Sequence, residues 1–213
     1  MTDITKIALS ANELELVCNK EWILTKQIVI EKVYQLFGSL ALSMQQYVQE
    51  ESENLPAAIL LNAPKISRGE NYLKLPYVML DYPRYFTKDN TVAIRTFFWW
   101  GNFFSINLHL SGKYKAAAVD SLIDLFSVLQ QKEYAVCCNV EPWKHHFETD
   151  NFLPIKNITP VDFAIMLNRK PFIKIAKQIN LQQWDAAGDF LIDHFIEMMN
   201  FLKINFPGDE RGL

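Results

Sequence analysis

The chain has 213 residues; half are hydrophobic, 13% aromatic and 21% charged, and the formal net charge is −3. That length and apolar content suffice to bury a large core without disulfide or metal staples, and they exclude a disordered chain. The mildly negative balance argues against nucleic acid as a partner, because a duplex-binding domain carries a basic face.

The cysteines are Cys18, Cys137 and Cys138, an odd number with two adjacent. This is no secreted disulfide framework, and it fits small buried thiols in a reducing compartment. No run of 18 apolar residues is present, so no membrane span is expected. Met1 to Ala11 contains Asp3 and lacks the apolar core of a signal peptide. The expected location is cytoplasmic.

In chain order, Ser10 with Glu13 three residues on reads as a capping box opening a helix that runs through Cys18. A break is expected near Asn19. Residues from Glu21 to about Glu51 carry one long helical pattern, with Val29, Val33, Leu36, Leu40, Met44 and Tyr47 as its apolar stripe. Leu73 to Asp81 reads as a strand closed by Pro83, with Pro64 to Tyr72 as an extended lead-in. Val92–Trp100 and Phe103–Leu110 then form a β-hairpin.

With a two-residue turn at Gly101-Asn102, Trp100 faces Phe103. One face then holds Ala93, Arg95, Phe97 and Trp99 with Phe104, Ile106, Leu108 and Leu110. The other holds Ile94, Thr96, Phe98 and Trp100 with Phe103, Ser105, Asn107 and His109. The first face reads as core, and the second as a mixed aromatic and polar surface.

A helix is expected from about Lys113 to Gln131, and a short strand over Tyr134 to Val140. A loop with Pro142, Trp143, His145 and His146 follows. Thr159-Pro160 opens a helix ending near Arg169, with Thr as cap and Pro at the first helical position. Phe172 to Ile179 reads as a strand, and Asp185 to Lys203 as the last helix. Pro207 to Leu213 is expected to be a flexible tail. These elements give an α+β fold: an antiparallel sheet around the central hairpin of residues 92–110, with a long N-terminal helix and C-terminal helices packed on it. One domain is expected over residues 1–206.

No catalytic or cofactor motif stands in the chain, and no cofactor is expected. Adjacent His145 and His146 after Cys137-Cys138 lack zinc-ligand spacing, so no metal is expected. Ser67, Ser105, Ser111 and Cys137 sit in no nucleophile elbow. The leading expectation is a domain that binds a small polar ligand or a partner protein, with a homodimer as a special case. Phe98, Trp100 and Phe103 would supply apolar contact, and Arg84, Asn107 and His109 orientation. The alternative is an enzyme using general acid–base chemistry in a pocket near Glu70, Asp81, Arg95 and His109. A buried Arg95 needs a carboxylate partner, for which Asp81 and Glu70 are the candidates.

Overall fold

The structure is a computed structural model, and it describes residues 7–205. The tail expected over 207–213 lies outside the described residues.

The chain forms an α+β fold around a seven-stranded antiparallel sheet. Its strands are β1 (Lys65–Tyr72), β2 (Leu75–Phe86), β3 (Thr91–Trp99), β4 (Phe103–Ser111), β5 (Ala135–Cys137), β6 (Phe152–Pro154) and β7 (Phe172–Asn180). They lie in the order β1-β2-β3-β4-β7-β5-β6. The helices are α1 (Ala11–Cys18), α2 (Lys20–Glu50), α3 (Ala57–Leu60), α4 (Lys113–Asp124), α5 (Phe126–Gln131), α6 (Pro160–Arg169) and α7 (Ala187–Asn205). No described helix is long and apolar enough to cross a membrane.

The capping chemistry read from the sequence is in place. Glu13 N–H donates to Ser10 Oγ and Ser10 N–H donates to Glu13 Oε2, closing the box on α1. Thr159 caps α6 by accepting from Asp162 N–H, with Pro160 at its start. The stripe of α2 is turned slightly from the expected one. Its buried residues are Ile30, Val33, Phe37, Leu40, Ala41, Met44 and Val48, while Val29, Leu36 and Tyr47 sit half-buried at its flank.

Three readings need correction. The lead-in of residues 64–72 is the edge strand β1. Strand β2 continues past Pro83, which is accommodated where the pairing slips between Asp81 and Arg84, a place where a missing N–H costs no ladder bond. The hairpin loop has three residues, 100–102, with Gly101 at φ 72°, so Trp99 pairs with Phe103 and Arg95 with Asn107. A one-residue slip exchanges partner faces. Ala93, Arg95, Phe97 and Trp99 therefore share a face with Phe103, Ser105, Asn107 and His109.

Both sheet faces are covered. The inner face, with Val78, Leu80, Ile94, Phe98, Phe104, Ile106, Leu108 and Ile175, packs under α2, α4 and α7 as one large core. The outer face holds two smaller clusters, one around Phe97, Trp99 and Phe103 and one around Phe152 and Phe172. A connection of residues 138–151, running from β5 to β6, crosses this face as a strap.

Candidate functional site

Alternation along the strands places Asp81, Arg95, Asn107, His109 and Lys174 together on the outer face, beneath the strap. Arg95 Nε donates to Asp81 Oδ1 at 2.7 Å and Nη2 to Oδ2 at 2.9 Å, a bidentate pair with both side chains almost buried. Arg95 Nη1 lies 3.2 Å from His145 Nε2. A guanidinium only donates, so Nε2 accepts and the His145 proton sits on Nδ1, a buried atom without a hydrogen-bond partner. Trp143 of the strap lies over the guanidinium, 5.7 Å from ring centroid to Cζ, and its ring meets that of His109 at 5.5 Å. Asn107 Nδ2 donates to the Arg95 carbonyl at 3.1 Å.

Lys174 is 1% exposed. Its ammonium donates to the carbonyls of Pro142 (2.9 Å) and Lys144 (2.7 Å), both on the strap. Burial lowers its pKa to about 8. Burial, reinforced by Lys174 and Arg95, drops the pKa of His109 to about 3 and that of His145 well below the usual histidine range, so both imidazoles are neutral near pH 7. The space left among these groups is about 10 Å³, room for a single water.

The strap is held from several sides. The N–H groups of His145 and His146 both donate to the Tyr72 hydroxyl (2.6 and 3.1 Å). Asn151 Nδ2 donates to the His146 carbonyl, and Phe147 stacks on Phe152 at 4.7 Å. The chamber is thus a closed polar core that fastens the strap to the sheet.

The expected site residues divide. Asp81, Arg95, Asn107 and His109 converge here. Glu70 lies on β1, exposed and paired with Lys26 of α2. Arg84 is half-buried, with Nε donating to the Ala63 carbonyl at 2.8 Å. Phe98 is 1% exposed and belongs to the inner core, against Phe104 and Trp184. Trp100 packs half-buried against the same core. Phe103 is enclosed on the outer face by Trp99 and Phe147. The mixed aromatic surface expected at the hairpin tip is therefore divided between two covered faces.

A roomier site lies on the inner face, between α5 and α7. The helix expected over 113–131 breaks at Leu125 into α4 and α5. A cavity of about 270 Å³ opens there, walled by Leu108, Leu122, Leu125, Leu129, Ile175, Met198 and Phe201. Its polar groups are Lys132, Tyr134, Glu197 and Asn200. Lys132 Nζ donates to Glu197 Oε1 at 2.5 Å and the Tyr134 hydroxyl to Oε2 at 2.8 Å. Burial works against the Glu197 carboxylate, but these two hydrogen bonds together with the nearby His194 and Lys132 charges hold its pKa below the usual value. Burial and the Glu197 hydrogen bond push the Tyr134 phenol well upward, so it is a firm donor.

Sequence reasoning missed Lys174 and this cavity. Lys174 was findable, since alternation along Phe172–Ile179 sets it beside Phe172 and Ala176 on a covered face. The cavity was not, because Leu122, Leu125 and Leu129 carry the same helical spacing whether they fill a core or wall a hollow.

Among the described residues, no group of three His, Cys, Asp or Glu side chains converges to hold a metal ion. Comparison of the chain with models of protein families, with curated proteins and with solved structures finds no match.

Proposed function

We propose that the protein is a binding domain for a small amphipathic molecule, held in the cavity between α5 and α7. The observation that carries this reading is an apolar hollow of about 270 Å³ with a hydrogen-bonded Lys132–Glu197–Tyr134 group among its lining. Pockets of this kind, mostly apolar with a few convergent polar groups, are where small ligands bind. The volume suits a ligand of roughly nine non-hydrogen atoms. Lys132 and Glu197 neutralise each other, which favours a head group that both donates and accepts, such as a hydroxyl or an amide, over one with a net charge. The three cysteines are unpaired, in keeping with a reducing compartment, and we take the cytoplasm as the place of action.

Titration calorimetry with octan-1-ol tests the reading. A ligand of this size should bind with Kd on the order of 0.1–1 mM. Leu129→Trp, which fills the hollow, should abolish the heat while the fold is kept. Equal heats in both proteins would overturn the assignment. Octanoate and octylamine should bind more weakly than the alcohol if the head-group argument is right.

A second reading, acid–base or amine chemistry in the outer chamber, is supported by the lowered pKa of Lys174 beside Arg95, His109 and His145. It requires the strap to lift. Labelling of Lys174 by an amine-selective reagent at pH 8.5, at a rate near that of surface lysines, would favour it. Protection of Lys174 until the protein unfolds would remove it.

A further inference from the structure

The N-terminal arm, residues 7–28, is apolar and uncovered. Of the nineteen large hydrophobic residues that stand exposed among the described residues, nine lie in this segment. Helix α1 has no buried residue at all. A helix of eight residues is too short to persist in water on its own propensity, and most helical stability comes from packing an apolar face. Its capping box stops the fraying of one end but gives the other turns nothing to pack against.

The first turns of α2 tell the same story. Ile23 continues the stripe that Ile30, Val33 and Phe37 bury farther along, yet it is 44% exposed. Leu24 and Ile28, one turn apart on another side of the helix, are 48% and 53% exposed. Trp22 is 48% and Val17 of α1 71% exposed. A helix apolar on more than one side is built to be enclosed.

We infer that this arm is the interface of a two-fold symmetric homodimer. The area fits: at about half exposure each, nine such side chains leave on the order of 800 Å² open, the share each partner buries in a standard interface. The charge fits as well. The arm carries Glu13, Glu15 and Glu21 against Lys20 and Lys26, a mixed set that two copies can bring together without strong repulsion. A membrane-surface helix would instead carry an excess of Lys and Arg on its polar face. Where the arm joins the body, a groove of about 370 Å³ runs between α2 and β1, lined mainly by the polar side chains of Lys26, Gln27, Glu31, Arg68 and Glu70, with Ile23 and Ile30 beside them. A two-fold axis would set the apolar arm of one copy against the same arm of the other, so that each covers its partner.

Sedimentation velocity on the full chain at about 10 µM, where an interface of standard size is populated, is the test. The expected result is a dimer. Leu24→Glu with Ile28→Glu should raise the dimer dissociation constant by ~100-fold or more while far-UV circular dichroism stays near the wild-type spectrum, since both side chains are exposed in the single chain. Cys18 is exposed within the arm, and a short bismaleimide should link two copies through it, with no linked product from Cys18→Ala. A wild-type monomer at that concentration would overturn the inference, whether or not it binds lipid vesicles or another protein. So would a dimer that the double substitution leaves intact.

Discussion

Asp81 and Arg95 make the most consequential side-chain pair in the molecule. They face each other across β2 and β3, and their carboxylate and guanidinium are satisfied by two short hydrogen bonds in a nearly dry site. Removing one partner strands a buried charge, so Asp81→Asn should cost ~3–5 kcal/mol in chemical denaturation, whereas the double change Asp81→Leu with Arg95→Met should cost far less. Equal losses would mean that the pair contributes more than mutual neutralisation. His109 and His145 beside it set a pH dependence. Their folded pKa values lie below the unfolded histidine value, with His109 near 3. Between about pH 3 and pH 6.5 the unfolded chain therefore binds more protons than the folded one, and stability must rise with pH across that window. Denaturant midpoints should climb from pH 4 to pH 6.5, and His109→Gln should flatten the climb.

Among the elements, the strap is held from several sides, and Lys174 supplies the buried ammonium that binds two of its carbonyls. Lys174→Met removes the donor shared by the Pro142 and Lys144 carbonyls and leaves both unpaired where water is scarce. Hydrogen exchange at the amides of His145 and His146 should accelerate, while amides of β3 and β4 keep wild-type protection. Loss of protection across the whole sheet would show instead that Lys174 supports the fold globally. The elements themselves were largely legible, because their signals are local: the Ser10–Glu13 box, Thr159-Pro160, the alternation of β3 and β4. What local pattern cannot carry is register. Whether the loop takes up Trp100 as well as Gly101-Asn102 depends on which pairing buries both faces, and that is decided by α7 on one side and the strap on the other. The same limit explains why Asp81, Arg95, Asn107 and His109 could be named as polar residues of interest while their convergence with Lys174 and His145 could not. Those last two arrive from positions far along the chain.

At the scale of the whole molecule, one antiparallel sheet is covered on both faces, and the two covers differ in kind. The outer cover is a loop fastened to buried polar groups, and it closes its chamber down to the volume of one water. The inner cover is a layer of helices that fails to close where α4 and α5 part at Leu125. Unfilled space in an apolar core costs stability in proportion to its volume, so a ligand that enters between α5 and α7 should raise the melting temperature as its concentration passes Kd. Met198 lines the cavity, and the chain has six methionines, few enough for each methyl signal to be assigned. The decisive measurement is a titration of [methyl-¹³C]methionine-labelled protein with octan-1-ol, followed by NMR. Saturable movement of the Met198 signal, absent in Leu129→Trp, is expected. A Met198 signal that stays still, or that drifts in step with methionines remote from the cavity, would contradict ligand binding between α5 and α7.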